Sequence, residues 1–223
     1  MKIRLASSIM RDSIVDGEGL RTVIWTQGCP RHCPGCHNPE TIPYDGGKEF
    51  DVKEVIEALK DSNEGITFSG GDPFLQAKAC SIIAKALKKQ GKSIWCYTGY
   101  IYEELLQLKD SKPEFMEFLK YIDVLIDGPF IMKKKSMDCL FRGSTNQRLI
   151  DVPKSLKNNK TIEVNGQESI GIFGKLGSEI KNVSTDEGIK VVGKNSTGMY
   201  ATDSGTTGEN TGKIVLSGEN TTG

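Results

Sequence analysis

Between residues 20 and 152, short apolar runs alternate with helical patterns, and this alternation constrains the fold more than any other feature. "LRTVIWTQG" reads as a buried strand. "VKEVIEALKDS" follows as a helix with Val52, Val55, Ile56 and Leu59 at i, i+3, i+4 and i+7. "GITFSGG" is the next strand, and "FLQAKACSIIAKALKKQG" is an amphipathic helix with Leu75, Ala79, Ile82, Ile83, Ala86 and Leu87 on one stripe and Gly91 as its cap. "SIWCYTG" reads as a third strand, "YEELLQLKDS" and "PEFMEFLKYI" as helices, "VLIDG" as a fourth strand and "RLIDV" as a fifth. The order predicts an α/β fold, a parallel sheet flanked by helices. Such folds bind ligands at the carboxyl edge of the sheet. Four motifs fall there: a cysteine loop after the first strand, "SGGDP" after the second, "YTGY" after the third and "DGPF" after the fourth.

The pattern ends near Lys160. All six cysteines, both tryptophans, both histidines and all eight prolines precede residue 160, whereas 12 of the 25 glycines lie in 161–223. This break predicts two domains, 1–160 and 161–223. In the second, "IEVNGQESIGIF" (162–173), "IKVVGKNSTGMY" (189–200) and "IVLSGENTTG" (214–223) superimpose at offsets of 27 and 25 residues. Alternating Ile and Val with glycine at the corners fits the rungs of a β-solenoid, with disorder as the alternative.

The formal net charge is zero, so the chain has no general attraction to nucleic acid or to an anionic membrane. The N-terminus lacks a signal-peptide apolar segment, and no run approaches the ~18 apolar residues of a membrane span. The expected compartment is the reducing cytoplasm, where clustered cysteines bind metal more often than they form disulfides.

The cluster is "CPRHCPGCHN", with Cys29, Cys33 and Cys36 at CxxxCxxC spacing. Three thiolates do not close a four-cysteine Fe–S site. They hold three irons of a cube and leave the fourth open, as catalytic metal sites keep one position free. A Cys₃His zinc site using His32 or His37 is the alternative for the same residues, and incidental buried cysteines are a third reading. Cys80, Cys96 and Cys139 stand singly and read as structural. Gly70 and Gly71 read from residue type as a strand-to-helix turn, with Asp72 and Pro73 at the start of a helix. "DGEG" (16–19) reads as a turn, Arg21 as a partner contact or a solvated charge, "KKK" (133–135) as solvated surface, and "RGSTNQR" (142–148) as a functional or docking loop.

The blocks "DSIVDGEGLRTVIWTQGCPRHCPGCHNPET", "TFSGGDPF", "WCYTGY", "LIDGPF" and "FRGSTNQRLIDVPKSL" resemble the radical S-adenosylmethionine enzymes, and within them the activating proteins of anaerobic ribonucleotide reductases, over residues ~3–160. The resemblance implies that Cys29, Cys33 and Cys36 hold a [4Fe-4S] cluster. The open iron would take the amine and carboxylate of S-adenosylmethionine, whose reductive cleavage gives a 5′-deoxyadenosyl radical. It further implies that the backbone of Gly70, Gly71 and Asp72 binds the methionine ammonium, and that Gly35, Cys36 and His37 meet the cofactor. Thr98 and Asp127 would face its ribose or the radical channel. About 160 residues cannot supply the eight βα units of a full barrel, so a partial, open (β/α) barrel is expected. The implied partners are the large catalytic subunit of the reductase, which receives a glycyl radical, and a flavodoxin-like electron donor.

Rival readings are an activase of another glycyl radical enzyme of the pyruvate formate-lyase type, and a zinc-binding interaction module. The tail resembles passenger repeats of autotransporter adhesins, and its expected status is a fused segment without a catalytic role.

Overall fold

Strand alternation sorts the apolar runs between two faces of one sheet. The computed structural model describes residues 1–62, 65–164, 170–174, 179–182, 189–192, 197–201, 207–210 and 214–217. The chain divides into two units, Met1–Val164 and Asn165–Gly223.

The first unit contains β1 (Lys2–Leu5), β2 (Met10–Ser13), β3 (Arg21–Thr26), β4 (Lys48–Asp51), α1 (Val52–Ala58), β5 (Gly65–Gly70), α2 (Ala77–Lys88) and β6 (Ser93–Tyr97). It continues with α3 (Tyr102–Gln107), α4 (Pro113–Leu119), β7 (Val124–Asp127), β8 (Arg148–Asp151) and α5 (Val152–Asn158). The sheet order is β4-β1-β3-β5-β6-β7-β8, with β2 also paired to β3. β3, β5, β6 and β7 are parallel, with Thr26 opposite Gly70, Phe68 opposite Cys96, and Tyr97 opposite Ile126. The four motif-bearing loops therefore leave from one edge.

The sheet is open and mixed, which corrects the all-parallel expectation. β8 runs antiparallel to β7, with Arg148 opposite Asp127. A parallel return needs a crossover, usually helical, and the 128–147 connection holds only a 3₁₀ turn at Met132–Lys134. β1, β2 and β4 form an antiparallel flank that periodicity does not reveal, because β2 reads "MRDS" and β4 "KEFD".

Ile24, Ile66, Phe68, Ile94, Cys96 and Leu125 share a buried cluster with Val55 and Leu59, with Cys80, Ile83, Ala84 and Leu87 of α2, and with Phe115 and Phe118 of α4. Each large side chain so buried contributes about 1.5–3 kcal/mol. Asp51 and Glu54 form a capping box that starts α1. The α2 stripe differs from expectation: Leu75 and Ile82 are 41% and 40% exposed, and Ala77, Cys80 and Ala84 are buried instead. Pro73–Gln76 is a 3₁₀ turn, whose three-residue period shifts the phase before α2 begins at Ala77. Alternation turns Val23, Trp25, Thr67, Ser69, Trp95, Tyr97 and Ile126 to the opposite face.

That face also holds Arg21, which is 2% exposed rather than solvated. Its guanidinium donates to Thr67 Oγ1 (2.7 Å), the Ile66 carbonyl (2.7 Å) and Ser93, and lies 5.0 Å from the Trp95 ring centroid. Burial lowers its pKa to about 10.

In the second unit, β9 (Ile170–Gly174), β10 (Glu179–Asn182), β11 (Ile189–Val192), β12 (Thr197–Ala201), β13 (Thr207–Asn210) and β14 (Ile214–Ser217) pair in parallel as β9–β12, β10–β13 and β11–β14. Ile170 lies opposite Thr197 and Ile189 opposite Ile214, one sequence repeat apart. Residues 165–169, 193–196 and 218–223 of the repeat copies lie outside the described residues.

Candidate iron–sulfur and cofactor site

Beyond Thr26 the chain enters the cysteine loop. The Gly28 and Cys29 N–H groups donate to the carbonyls of Thr41 (2.8 Å) and Ile42 (3.1 Å), which closes the loop at its base. Within it the Cys36 N–H donates to the Cys33 carbonyl (3.0 Å), and Gly35 takes φ +74°, a turn that glycine makes without steric cost. Cys29, Cys33 and Cys36 are free thiols of intermediate exposure. Partial burial pushes the Cys29 thiol up to about 11, opposed by the Arg31 backbone N–H.

The loop leans on the 128–147 connection. A side chain at Gly35 would collide with Met132, and the His37 ring packs 4.8 Å from Phe130. Arg31 reaches the other way, to Glu104 (3.0 Å) and over the Tyr100 ring (4.9 Å). Nothing in the sequence singles out Arg31, Phe130 or Met132 for these contacts, which join segments about 70 to 100 residues apart.

Gly70 and Gly71 sit where the end of β5 meets the start of the cysteine loop. The Gly71 N–H donates to Thr26 O and the Asp72 N–H to Gly28 O, both at 2.8 Å. Gly70 has φ +98°, and a Cβ there would strike the Thr26 backbone, whereas one at Gly71 would strike the Gly28 and Thr41 carbonyls. The glycines are required by this approach alone. The Gly71 and Asp72 N–H groups are engaged, and an ammonium, which only donates, would be received at this turn by carbonyl oxygens.

Asp72 is fully buried. It accepts from the Thr98 hydroxyl (3.0 Å), the Gly99 N–H (3.0 Å) and the Phe74 N–H (3.1 Å). Desolvation raises its pKa to about 6 against those three donors. Its side chain thus caps the Pro73–Gln76 turn and ties the end of β5 to the end of β6. Thr98, 5% exposed, spends its hydroxyl proton on this bond. Asp127 is also fully buried and accepts from the Tyr102 N–H (2.8 Å) and from Arg148 Nε (3.1 Å) and Nη2. Arg148 bridges onward to Glu103 (2.7 Å), whose pKa its hydrogen bonds lower to about 2. The structure brings Gly70, Gly71, Asp72 and Thr98 into contact with one another or with the loop's base. Asp127 is committed to α3 and β8.

Among the described residues, no three His, Cys, Asp or Glu side chains converge on a single metal ion. A tetrahedral zinc site would draw its sulfurs to within about 3.8 Å of one another, from Zn–S bonds of ~2.3 Å. A cube spreads three thiolates over three irons. Three free thiols on a loop closed at its base supply the donor set that three irons of a cluster would take.

The family described as a 4Fe-4S single cluster domain matches residues 15–150. The anaerobic ribonucleoside-triphosphate reductase-activating protein of Haemophilus influenzae is 36% identical over 144 residues, covering 60% of this chain and 89% of the relative. The chain belongs to this family of activating proteins. The member from Escherichia coli K12 is 34% identical over 145 residues (60% of this chain, 90% of the relative), and that of enterobacteria phage T4 is 38% identical over 143 (60% and 86%). For an activating protein the 4Fe-4S match spans the cysteine loop and both buried carboxylates, and it ends at Ile150, before the second unit.

Proposed function

We propose that the chain is the activase of an anaerobic ribonucleoside-triphosphate reductase and that it works by radical S-adenosylmethionine chemistry on a partial, open barrel. The observation that carries this reading is the trio of free thiols at the carboxyl edge of the parallel strands, in a chain 36% identical to a reductase-activating protein. Cys29, Cys33 and Cys36 would hold a [4Fe-4S] cluster and leave one iron open. S-adenosylmethionine bound there would supply, on reduction, the radical chemistry that takes a hydrogen from a glycine of the reductase.

The chain's own residues supply placement. The carbonyl side of the Gly70–Gly71 turn accepts from the cofactor's ammonium, and Gly35 and His37 meet its adenosyl part. Asp72 and Thr98 hold the glycine turn against β6, and Asp127 fixes the end of β7 next to the "GPF" segment. A loop of the reductase approaches on the side of the open sheet that no helix of the apolar cluster covers. A flavodoxin-like protein in the cytoplasm is the proposed electron donor. In the described residues, no helix is long and apolar enough to cross a membrane. The chain divides after Val164, close to the composition break at residue 160, and the second unit is proposed to be dispensable.

The reading is tested by anaerobic reconstitution with iron and sulfide, reduction with dithionite and addition of S-adenosylmethionine, beside Cys33→Ala. About four irons per chain, with 5′-deoxyadenosine absent from the variant, is the expected result. Bound zinc and no cleavage would sink it.

A further inference from the structure

The 128–147 connection folds back on itself at the mouth of the site. Its outgoing limb, residues 131–136, lies against the returning limb, 143–145. The Thr145 N–H donates to Lys134 O (2.9 Å), the Ser136 N–H to Gly143 O (3.3 Å), and Lys135 bridges Ser144. The tip between them carries Met137 and Leu140, which are 89% and 74% exposed. The limb beside it carries Lys133, Lys134 and Lys135, all exposed and in none of the ion pairs among the described residues.

The flap is anchored at two points. Met132 covers Gly35 of the cysteine loop. At the other end Phe141 sets its ring edge-on to Trp95 (5.4 Å), and its carbonyl accepts from the Tyr97 hydroxyl (2.9 Å), both on the face of the sheet that no helix of the apolar cluster covers. Phe141 makes this contact at φ +58°, where a bulky residue is strained. On the returning limb, Arg142 Nε and Asn146 Oδ1 are buried without a hydrogen-bond partner. Strain and unsatisfied polar atoms coincide in the limb that covers Trp95 on the helix-free face, which is the pattern of an element with a second arrangement available.

We propose that this flap is the docking element for the reductase: Met137 and Leu140 enter an apolar socket on the reductase, and Lys133–Lys135 meet an acidic rim around it. Large exposed apolar side chains flanked by unpaired charge mark an interaction surface. The anchor on Trp95 and Tyr97 selects the occupant. A chain delivering a glycine to the helix-free face must displace or meet the flap that packs on it, whereas an electron donor needs only the cysteine loop. This rests on the proposed activase function and deepens it.

The test uses the full reconstituted chain and its cognate anaerobic reductase. Met137→Ser/Leu140→Ser is the first variant and Lys133→Glu/Lys135→Glu the second; all four side chains are exposed, so both fold. Binding to the reductase is measured directly, 5′-deoxyadenosine is measured without reductase under dithionite, and glycyl radical is measured at rising reductase concentration. The expected result is binding weakened at least 10-fold in both variants, more strongly at low salt for the charge reversal. Glycyl radical should fall at limiting reductase and recover at excess, with reductase-free cleavage unchanged. Unchanged binding overturns the proposal. So does a defect that appears only when a protein donor replaces dithionite, which would assign the flap to the donor. A wild-type chain that binds the reductase but yields no 5′-deoxyadenosine would overturn the activase reading and leave the binding result standing.

Discussion

The carboxyl edge of the sheet holds two kinds of polar group. At β5, β6 and β7, Asp72, Thr98 and Asp127 are buried and their hydrogen bonds are made inside the protein. At β3, the thiols of Cys29, Cys33 and Cys36 are half-exposed and unbonded to one another. The satisfied groups fix the frame, and the thiols are left for a ligand. Buried carboxylates near a site thus need not be its chemical groups: a buried charge requires partners, and these two have found theirs.

The contrast is broken most severely from the thiol side. Cys33→Ala should abolish cluster assembly and 5′-deoxyadenosine formation while the apo-protein melts within a few degrees of wild type, as calorimetry and product analysis will show. From the frame side, Arg148→Met should leave Asp127 buried without its cation and cost about 3 kcal/mol in denaturant unfolding. Gly70→Ala, which forces a Cβ into the Thr26 backbone at φ +98°, should destabilise by roughly 2 kcal/mol or more and lower affinity for S-adenosylmethionine. Gly91→Ala has φ +77° but open space around it, and should cost only about 1 kcal/mol with the site unaffected.

The pH dependence sharpens the comparison further. Asp72 has its pKa raised to about 6, so the folded state binds its proton more tightly than the unfolded chain does. Its contribution to stability therefore declines as pH rises from about 4 to 6, and Asp72→Asn should flatten that part of the curve. Glu103, lowered to about 2, has the opposite sign: its contribution is present above pH 4.5 and is lost as pH falls through 2.

The sequence made the central strands legible because β3, β5, β6 and β7 are short runs with apolar centres and few charges, as strands buried on both faces tend to be. It hid β2 and β4, which are short, polar and lie outside the parallel core. It misplaced the buried stripe of α2 because a 3₁₀ turn before Ala77 changes the phase. Of the candidate site, CxxxCxxC spacing marked the cysteine loop and residue type marked the turn at Gly70 and Gly71, while the cofactor role proposed for that turn came from the family resemblance. Arg21 was not: its partners Thr67 and Ser93 lie 46 and 72 residues away, and only strand register brings them together. The flap was half readable. "RGSTNQR" announced a polar loop, but the packing of Phe141 on Trp95 depends on the antiparallel return of β8.

The most direct test of the account is the spin count of glycyl radical formed on the anaerobic reductase, by electron paramagnetic resonance, after mixing with the reconstituted chain, S-adenosylmethionine and dithionite. The account predicts a radical that requires S-adenosylmethionine and each of Cys29, Cys33 and Cys36, and that survives deletion of residues 165–223. A radical that persists without the three cysteines, or none in the presence of abundant 5′-deoxyadenosine, would contradict it.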